Sequence, residues 1–407
     1  MKPEQIKKEA SELQEIIKND RRFLHTHAET GFNLHETKAY VKKELKAMGY
    51  EPQECGKSGL IAIAGGKKEG KVFLIRGDMD ALPIKEEADV DFPSTNGCMH
   101  ACGHDMHTAM MLGAARLLKK HEDEIEGTIK LMFQPAEEIF EGSHDMIEAG
   151  LLKNPDVDAA LMIHVMAGMP FEPGTVIVSA PGVSAPAADY FEIKVQGKGC
   201  HGSMPNTGVD PLNAAAHILI ALQEIHAREL AMNDKAVLTI GTMQAGNAAN
   251  AIPDSVVMGG SIRTFDEDTR AFIKERMTEI AEGIAKSFRA QAEVAFGSGC
   301  PTLVNDKDLS ICAEQYVKEL LGNASAFSAA KLSAMGGSKE SKTAGSEDFA
   351  YVSQEVPSIM LALAAGQPQK GYSYPQHHPK VKFDESALSG GSAVYAYTAM
   401  RWLEEHK

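Results

Sequence analysis

Four compact apolar runs that stop abruptly at acidic, polar or turn residues constrain this chain most: "KVFLIRGD" (71–78), "GTIKLMFQPAEE" (127–138), "VDAALMIHV" (157–165) and "SIMLALAAG" (358–366). Unbroken apolar stretches of this length read as strands buried on both faces. Helical patterns separate them, as in "HTAMMLGAARLLKKHEDEI", where Ala109, Met110, Leu112, Leu117 and Leu118 can share one apolar face. Strands alternating with helices imply an α/β domain: a mainly parallel sheet with helices on both faces. Reactive groups in such sheets collect beyond the carboxyl ends of the strands. Asp78 and Asp80, then Glu137 and Glu138, then His164 stand at those ends.

Residues 186–298 have another rhythm. "YFEIKVQG", "PLNAAAHILIALQEIHAREL", "AVLTIGTMQ", "SVVMGGSIRTF", "DEDTRAFIKERMTEIAEGIAKSF" and "AEVAFGSG" spell β-α-β-β-α-β, an inserted α+β ferredoxin-like domain. The expected organisation is a discontinuous catalytic domain, 1–185 and 299–407, interrupted by 186–298. A chain of 407 residues is long enough for two such cores.

Charge narrows the partners. With 41 Lys+Arg against 56 Asp+Glu the net charge is −15, and no basic cluster interrupts it, so nucleic acid and anionic membranes are both disfavoured. No run reaches the roughly 18 apolar residues of a membrane span, and the charged start "MKPEQIKKEASELQEIIKNDRR" lacks a secretory pattern. The expected location is the cytoplasm. Six irregularly spaced cysteines then read as thiols, and clustered ones as candidates for metal or catalysis.

The cluster is "CMHACGHDMHT", residues 98–108. Cys102 and His104 flank a glycine just before a helix, and thiolate with imidazole suits zinc and related ions. Alone, Cys102 also reads as a small buried apolar residue, and the Glu137–Glu138 doublet as a solvated loop. Together with His164 they form an N/S/O set. One glutamate can ligate while its neighbour stays free as general base for an attacking water.

"RGDMDALP", "MHACGHDMHTAMMLGAA", "FQPAEE", "IHVMAG", "GKGCHGSMPNTGVDP", "NAIPD", "GSIRTFD", "GSEDFA" and "HHPKVKFDE" occur in this order along nearly the whole chain. The series resembles the amidohydrolase branch of the aminoacylase/carboxypeptidase metallopeptidases, which includes hippurate hydrolase, indole-acetyl-amino acid hydrolase and N-acetyl-diaminopimelate deacetylase. The resemblance implies a site for one or two divalent ions (zinc, manganese, cobalt or nickel) held by Cys102, His104, Glu138, His164 and a histidine of "QHHP". His377 takes that position in the family pattern, with His378 the alternative. It further implies Glu137 as general acid/base, Asp80 as an acid that orients a ligand, and His201 as oxyanion donor. Asn250, Arg263, Gly345 and Ser346 would bind substrate. By its residues alone, His107 reads as a helix-start histidine bonded locally. Arg263, inside an apolar strand, needs a partner, and an internal carboxylate is the plain choice.

The implied reaction is hydrolysis of an N-acyl amino acid to a carboxylate and a free amino acid, with a metallo-dipeptidase or carboxypeptidase as the alternative. Helix 211–228 and the edge strand of the inserted domain are expected to form a homodimer, and hinge motion near 185 and 298 to close the substrate in. Cys98, Ala167, Cys200 and Asn206 depart from the family pattern around the acyl pocket. Cys98 reads as a packed thiol, with a competing metal ligand or a regulatory disulfide as the alternatives.

Overall fold

The computed structural model describes residues 2–334 and 345–407. They form two compact units: residues 2–184, 304–334 and 347–407 in the first, and 185–303 with Gly345 and Ser346 in the second.

The first unit is built on an eight-stranded sheet in the order Gln53–Cys55, Gly59–Gly65, Thr128–Gln134, Val72–Asp78, Ala159–Met166, Ser358–Ala364, Val176–Val178, Ala326–Ser328. Its four central strands run parallel. Antiparallel pairings attach Gly59–Gly65 on one side and Val176–Val178 on the other. Every residue of Val72–Asp78 is buried, which is why that stretch is apolar without alternation. Helix His104–Lys120 follows it and packs against Gln14–Thr26 and Leu388–Glu405. A smaller pair, Gly142–Glu148 and Ala350–Glu355, packs together and against Thr128–Gln134 and Ser358–Ala364 respectively.

The second unit is a four-stranded antiparallel sheet in the order Ala236–Gln244, Ser255–Thr264, Ala187–Gln196, Gln291–Cys300, with helices Pro211–Ala221 and Glu267–Ser287 packed on it. Asp210 caps the first helix by accepting the N–H of Leu212 and Asn213, and Asp266 caps the second through Thr269. The α-helix proper ends at Ala221, and helical backbone carries on through a π-helical stretch, Ile225–Glu229, so the segment spans the expected 211–228. The π-helical stretch is tied down by His226 Nε2, which accepts the Leu238 N–H at 3.0 Å.

None of the six cysteines forms a disulfide. Among the described residues no helix is long and apolar enough to cross a membrane.

Candidate metal centre

Tight backbone at three places lets the sheet edge present its donors. Beyond Thr128–Gln134 the chain passes through Ala136 with φ +55°, a left-handed conformation, and turns back so closely that a Cβ on Gly142 would lie 1.6 Å from the Pro135 carbonyl oxygen. This turn carries Glu137 and Glu138. Both are held by one side chain: Asp80 Oδ1 accepts the Glu137 N–H at 3.0 Å, and Oδ2 accepts the Glu138 N–H at 3.2 Å. Ahead of helix His104–Lys120, Gly103 has φ +96°, and a Cβ there would meet Val165 Cγ2 at 2.4 Å. Only glycine allows Cys102 and His104 to approach the strand of His164 so closely. His377 is the third place: its φ is +64°, and its N–H donates to the Ala101 carbonyl at 2.9 Å. Such strain in a residue other than glycine marks a side chain held for a purpose.

The histidine tautomers follow from the hydrogen bonds. His104 Nδ1 donates to the main-chain oxygen of Asp80 at 2.8 Å, so its Nε2 is the nitrogen left for a ligand. His164 Nδ1 donates to the Val165 carbonyl at 2.8 Å, leaving Nε2 3.5 Å from Cys102 Sγ. His377 Nε2 lies 3.5 Å from Glu138 Oε2. His378 instead stacks on Tyr374, and its Nδ1 accepts the Lys380 N–H. His164 sits two residues inside the end of its strand rather than beyond it.

Overlapping donor groups result, among them Cys102 with His104 and His164, Cys102 with Glu138 and His377, and His104 with Glu137 and Glu138, each with its atoms within 4.8 Å of one another. His104 Nε2 and Glu138 Oε1 are buried with no hydrogen-bond partner. Buried polar atoms are rarely orphaned unless something absent from the chain completes them. Sulfur, nitrogen and carboxylate oxygen in this arrangement fit a divalent ion such as zinc, and the overlap leaves room for one or two.

Electrostatics set the general base apart. Burial raises Glu137 well above the ordinary carboxylate range, and the nearby Glu347 and Glu138 push the same way. Burial likewise lifts Glu138 to about 7. Burial lowers His164 and His377, so both stay neutral and able to ligate. For His104, burial disfavours the charged form, but Asp78 and Cys102 outweigh it and hold the ring protonated. Without an ion a proton occupies a position that a cation can take, and a bound ion reverses that preference.

Residues outside the expected set complete the centre. His107 is buried and not bonded locally as expected: its Nε2 accepts the Val165 N–H at 2.8 Å, which fixes its proton on Nδ1, and that donates to Asp78 Oδ1 at 2.6 Å. It is a strut between two strands. Asp78 also takes Arg76 Nη1 at 2.6 Å. Burial disfavours its charge, yet Arg76 and the histidines hold its carboxyl well below the usual range. Arg76 is bonded in turn to Glu347 and Asp348. Asp105 faces elsewhere, toward Arg21 and His25.

In the second unit, the short strands Cys200–His201 and Ala251–Ile252 pair antiparallel and bring His201 beside Asn250, whose carbonyl accepts the Gly202 N–H at 2.8 Å. His201 Nδ1 accepts the Ser203 N–H at 3.2 Å, so its proton lies on Nε2, free to be donated outward. Arg263 Nη1 donates to Ser346 Oγ at 2.5 Å, so a serine hydroxyl is one of its partners.

A sheet edge that gathers N, S and O donors around a carboxylate of raised proton affinity is the site of a metal-dependent hydrolase. The chain belongs to peptidase family M20/M25/M40, whose model matches residues 74–401. It is 36% identical over 392 residues to an N-acetylcysteine deacetylase of Bacillus subtilis, covering 96% of this chain and 97% of the relative. It is 34% identical over 406 residues to thermostable carboxypeptidase 2 of Saccharolobus solfataricus, covering 98% of each. The crystal structure of a dinuclear metal-binding peptidase of the M20 family from Bacillus subtilis matches with a TM-score of 0.77 at 33% identity, over 97% of this chain and 99% of that one.

Proposed function

We propose that this protein hydrolyses the amide bond of N-acyl amino acids, releasing a carboxylate and a free amino acid. The observation that carries the reading is Glu137: buried, raised in proton affinity and adjacent to Glu138, whose own oxygen joins the donor group of Cys102 and His377. One glutamate ligates and its neighbour stays free for proton transfer.

Cys102, His104, Glu138, His164 and His377 would hold one or two divalent ions, zinc, manganese, cobalt or nickel. When bound, the ion supplies Lewis-acid polarisation of the scissile carbonyl and acidifies water. Glu137 takes a proton from the attacking water and passes it to the departing nitrogen, so one residue serves as base and then acid. Asp80 fixes both glutamates through their backbone N–H groups, and its main-chain oxygen fixes His104. His201 donates from Nε2 to the developing oxyanion. Arg263 holds the substrate carboxylate with its planar fork, while Asn250 and the backbone near Gly345 and Ser346 bind beside the scissile amide.

The inserted unit is thus read as the substrate-binding part. It is also the part through which two chains would pair: Leu212 and Ile220 of helix Pro211–Ala221 and Val237 and Met243 of the edge strand Ala236–Gln244 are exposed, as an apolar dimer face would be before pairing. Six cysteines without a disulfide support a cytoplasmic location.

The test is amine release from metal-loaded enzyme with N-acetyl, N-benzoyl and longer N-acyl amino acids beside free dipeptides. Turnover of the acyl amino acids is expected. A preference for free dipeptides would replace this reading with a peptidase.

A further inference from the structure

Arg76 lies inside the wholly buried strand Val72–Asp78 and is 1% exposed. Its guanidinium donates to Gln134 Oε1 at 2.8 Å, Asp78 Oδ2 at 2.6 Å, Glu347 Oε1 and Oε2 at 2.8 and 3.4 Å, and Asp348 Oδ1 at 3.1 Å. The last two are held from other sides as well. Phe349 N–H donates to Glu347 Oε1 at 3.0 Å; Gln134 Nε2 and Ser143 N–H donate to the two oxygens of Asp348 at 2.6 and 3.0 Å.

Glu347 and Asp348 converge on the general base. One oxygen from each of Glu137, Glu347 and Asp348 lies within 4.8 Å of the other two, and all three residues are buried. Three convergent carboxylates are a ligand set for a hard divalent cation. An ion held there would take Glu137 out of proton transfer. The geometry points to an answer in Arg76: we propose that it is a positioning residue that occupies the cationic position among these carboxylates and so keeps metal off Glu137. A guanidinium suits this task because its rigid fork satisfies several acceptors in fixed directions, whereas an ammonium is a compact point charge. The inference rests on the reading of Glu137 as general base, but its test reads ions rather than turnover.

Metal-free Arg76→Met and wild type would be dialysed to equilibrium against manganese, and the ions per chain counted by elemental mass spectrometry. Arg76→Met is expected to hold one more ion per chain than wild type, and Arg76→Met/Glu347→Gln to return to the wild-type number. Equal numbers in Arg76→Met and wild type would overturn the proposal. Arg76→Lys keeps the charge and so guards against a misfolded variant. In the same ion count it is expected to take up an additional ion at a manganese concentration about tenfold lower than wild type; uptake only at the wild-type concentration would overturn the proposal equally. Glu137→Gln turnover reports separately on the general base, so the two readings fail by different experiments.

Discussion

Asp80 Oδ1 accepts the N–H of Glu137 at 3.0 Å while its Oδ2 accepts that of Glu138 at 3.2 Å, so a single carboxylate sets the position of both the proton carrier and its ligating neighbour. In Asp80→Asn the amide NH2 would face one of those N–H groups. A loss of about 10- to 100-fold in kcat is expected, in line with outer residues of metal sites, with the circular dichroism spectrum unchanged. Steady-state kinetics on the metal-loaded variant checks it.

His377 and His378 are neighbours with opposite surroundings. His377 Nε2 faces Glu138, whereas His378 stacks on Tyr374. His377→Ala is expected to weaken metal binding by at least about tenfold, and His378→Ala to leave it within about twofold. Isothermal titration with zinc or manganese reads both.

Gly103 must be glycine on two counts, its φ of +96° and the 2.4 Å approach of a would-be Cβ to Val165. Gly103→Ala is expected to cost about 1–3 kcal/mol in denaturant melts. Because the turn presents Cys102 and His104 together, its metal content should fall as well.

Away from the site, His121 bridges Glu9 at 2.6 Å and Glu124 at 2.7 Å. Burial lowers its proton affinity, but hydrogen bonds to Glu124 and Glu9 prevail and raise it above the ordinary histidine value. A raised folded-state value means the stabilisation is complete below the unfolded value near 6.5 and fades as pH rises through the folded value. Glu9, held down to about 2 because the bonds to His121 and Lys120 outweigh its burial, adds stability above its ordinary 4.5 that is lost as pH falls toward 2. His121→Gln should therefore lower Tm more at pH 6 than at pH 9, with a loss of about 1.5 kcal/mol at the lower pH. Calorimetry across that range checks the sign.

The sheet and most of the donors were legible in the sequence because buried strands announce themselves as unbroken apolar runs, and few side chains suit a divalent ion. Arg76 was the missed signal. A charge in the middle of "KVFLIRGD" demands a partner as much as Arg263 does, and Asp78 two residues on supplies one, but the remaining partners Gln134, Glu347 and Asp348 are brought to it only by the assembled fold. In the sequence His107 reads as local for the same reason, since Asp78 and Val165 become its neighbours only when the strands assemble. The role of Asp80 divides between its carboxylate and its own carbonyl oxygen, a division set by the turn at Ala136 rather than by residue type.

The central claim is that Glu137 moves protons and does not hold metal. The direct measurement is kcat and bound metal in Glu137→Gln beside wild type, both loaded identically, on the best N-acyl amino acid. The expected result is an unchanged metal content with kcat lower by about a thousandfold, the scale of a lost general acid and base. A variant that turns over at the wild-type rate, or one that loses activity only because it loses metal, would contradict it.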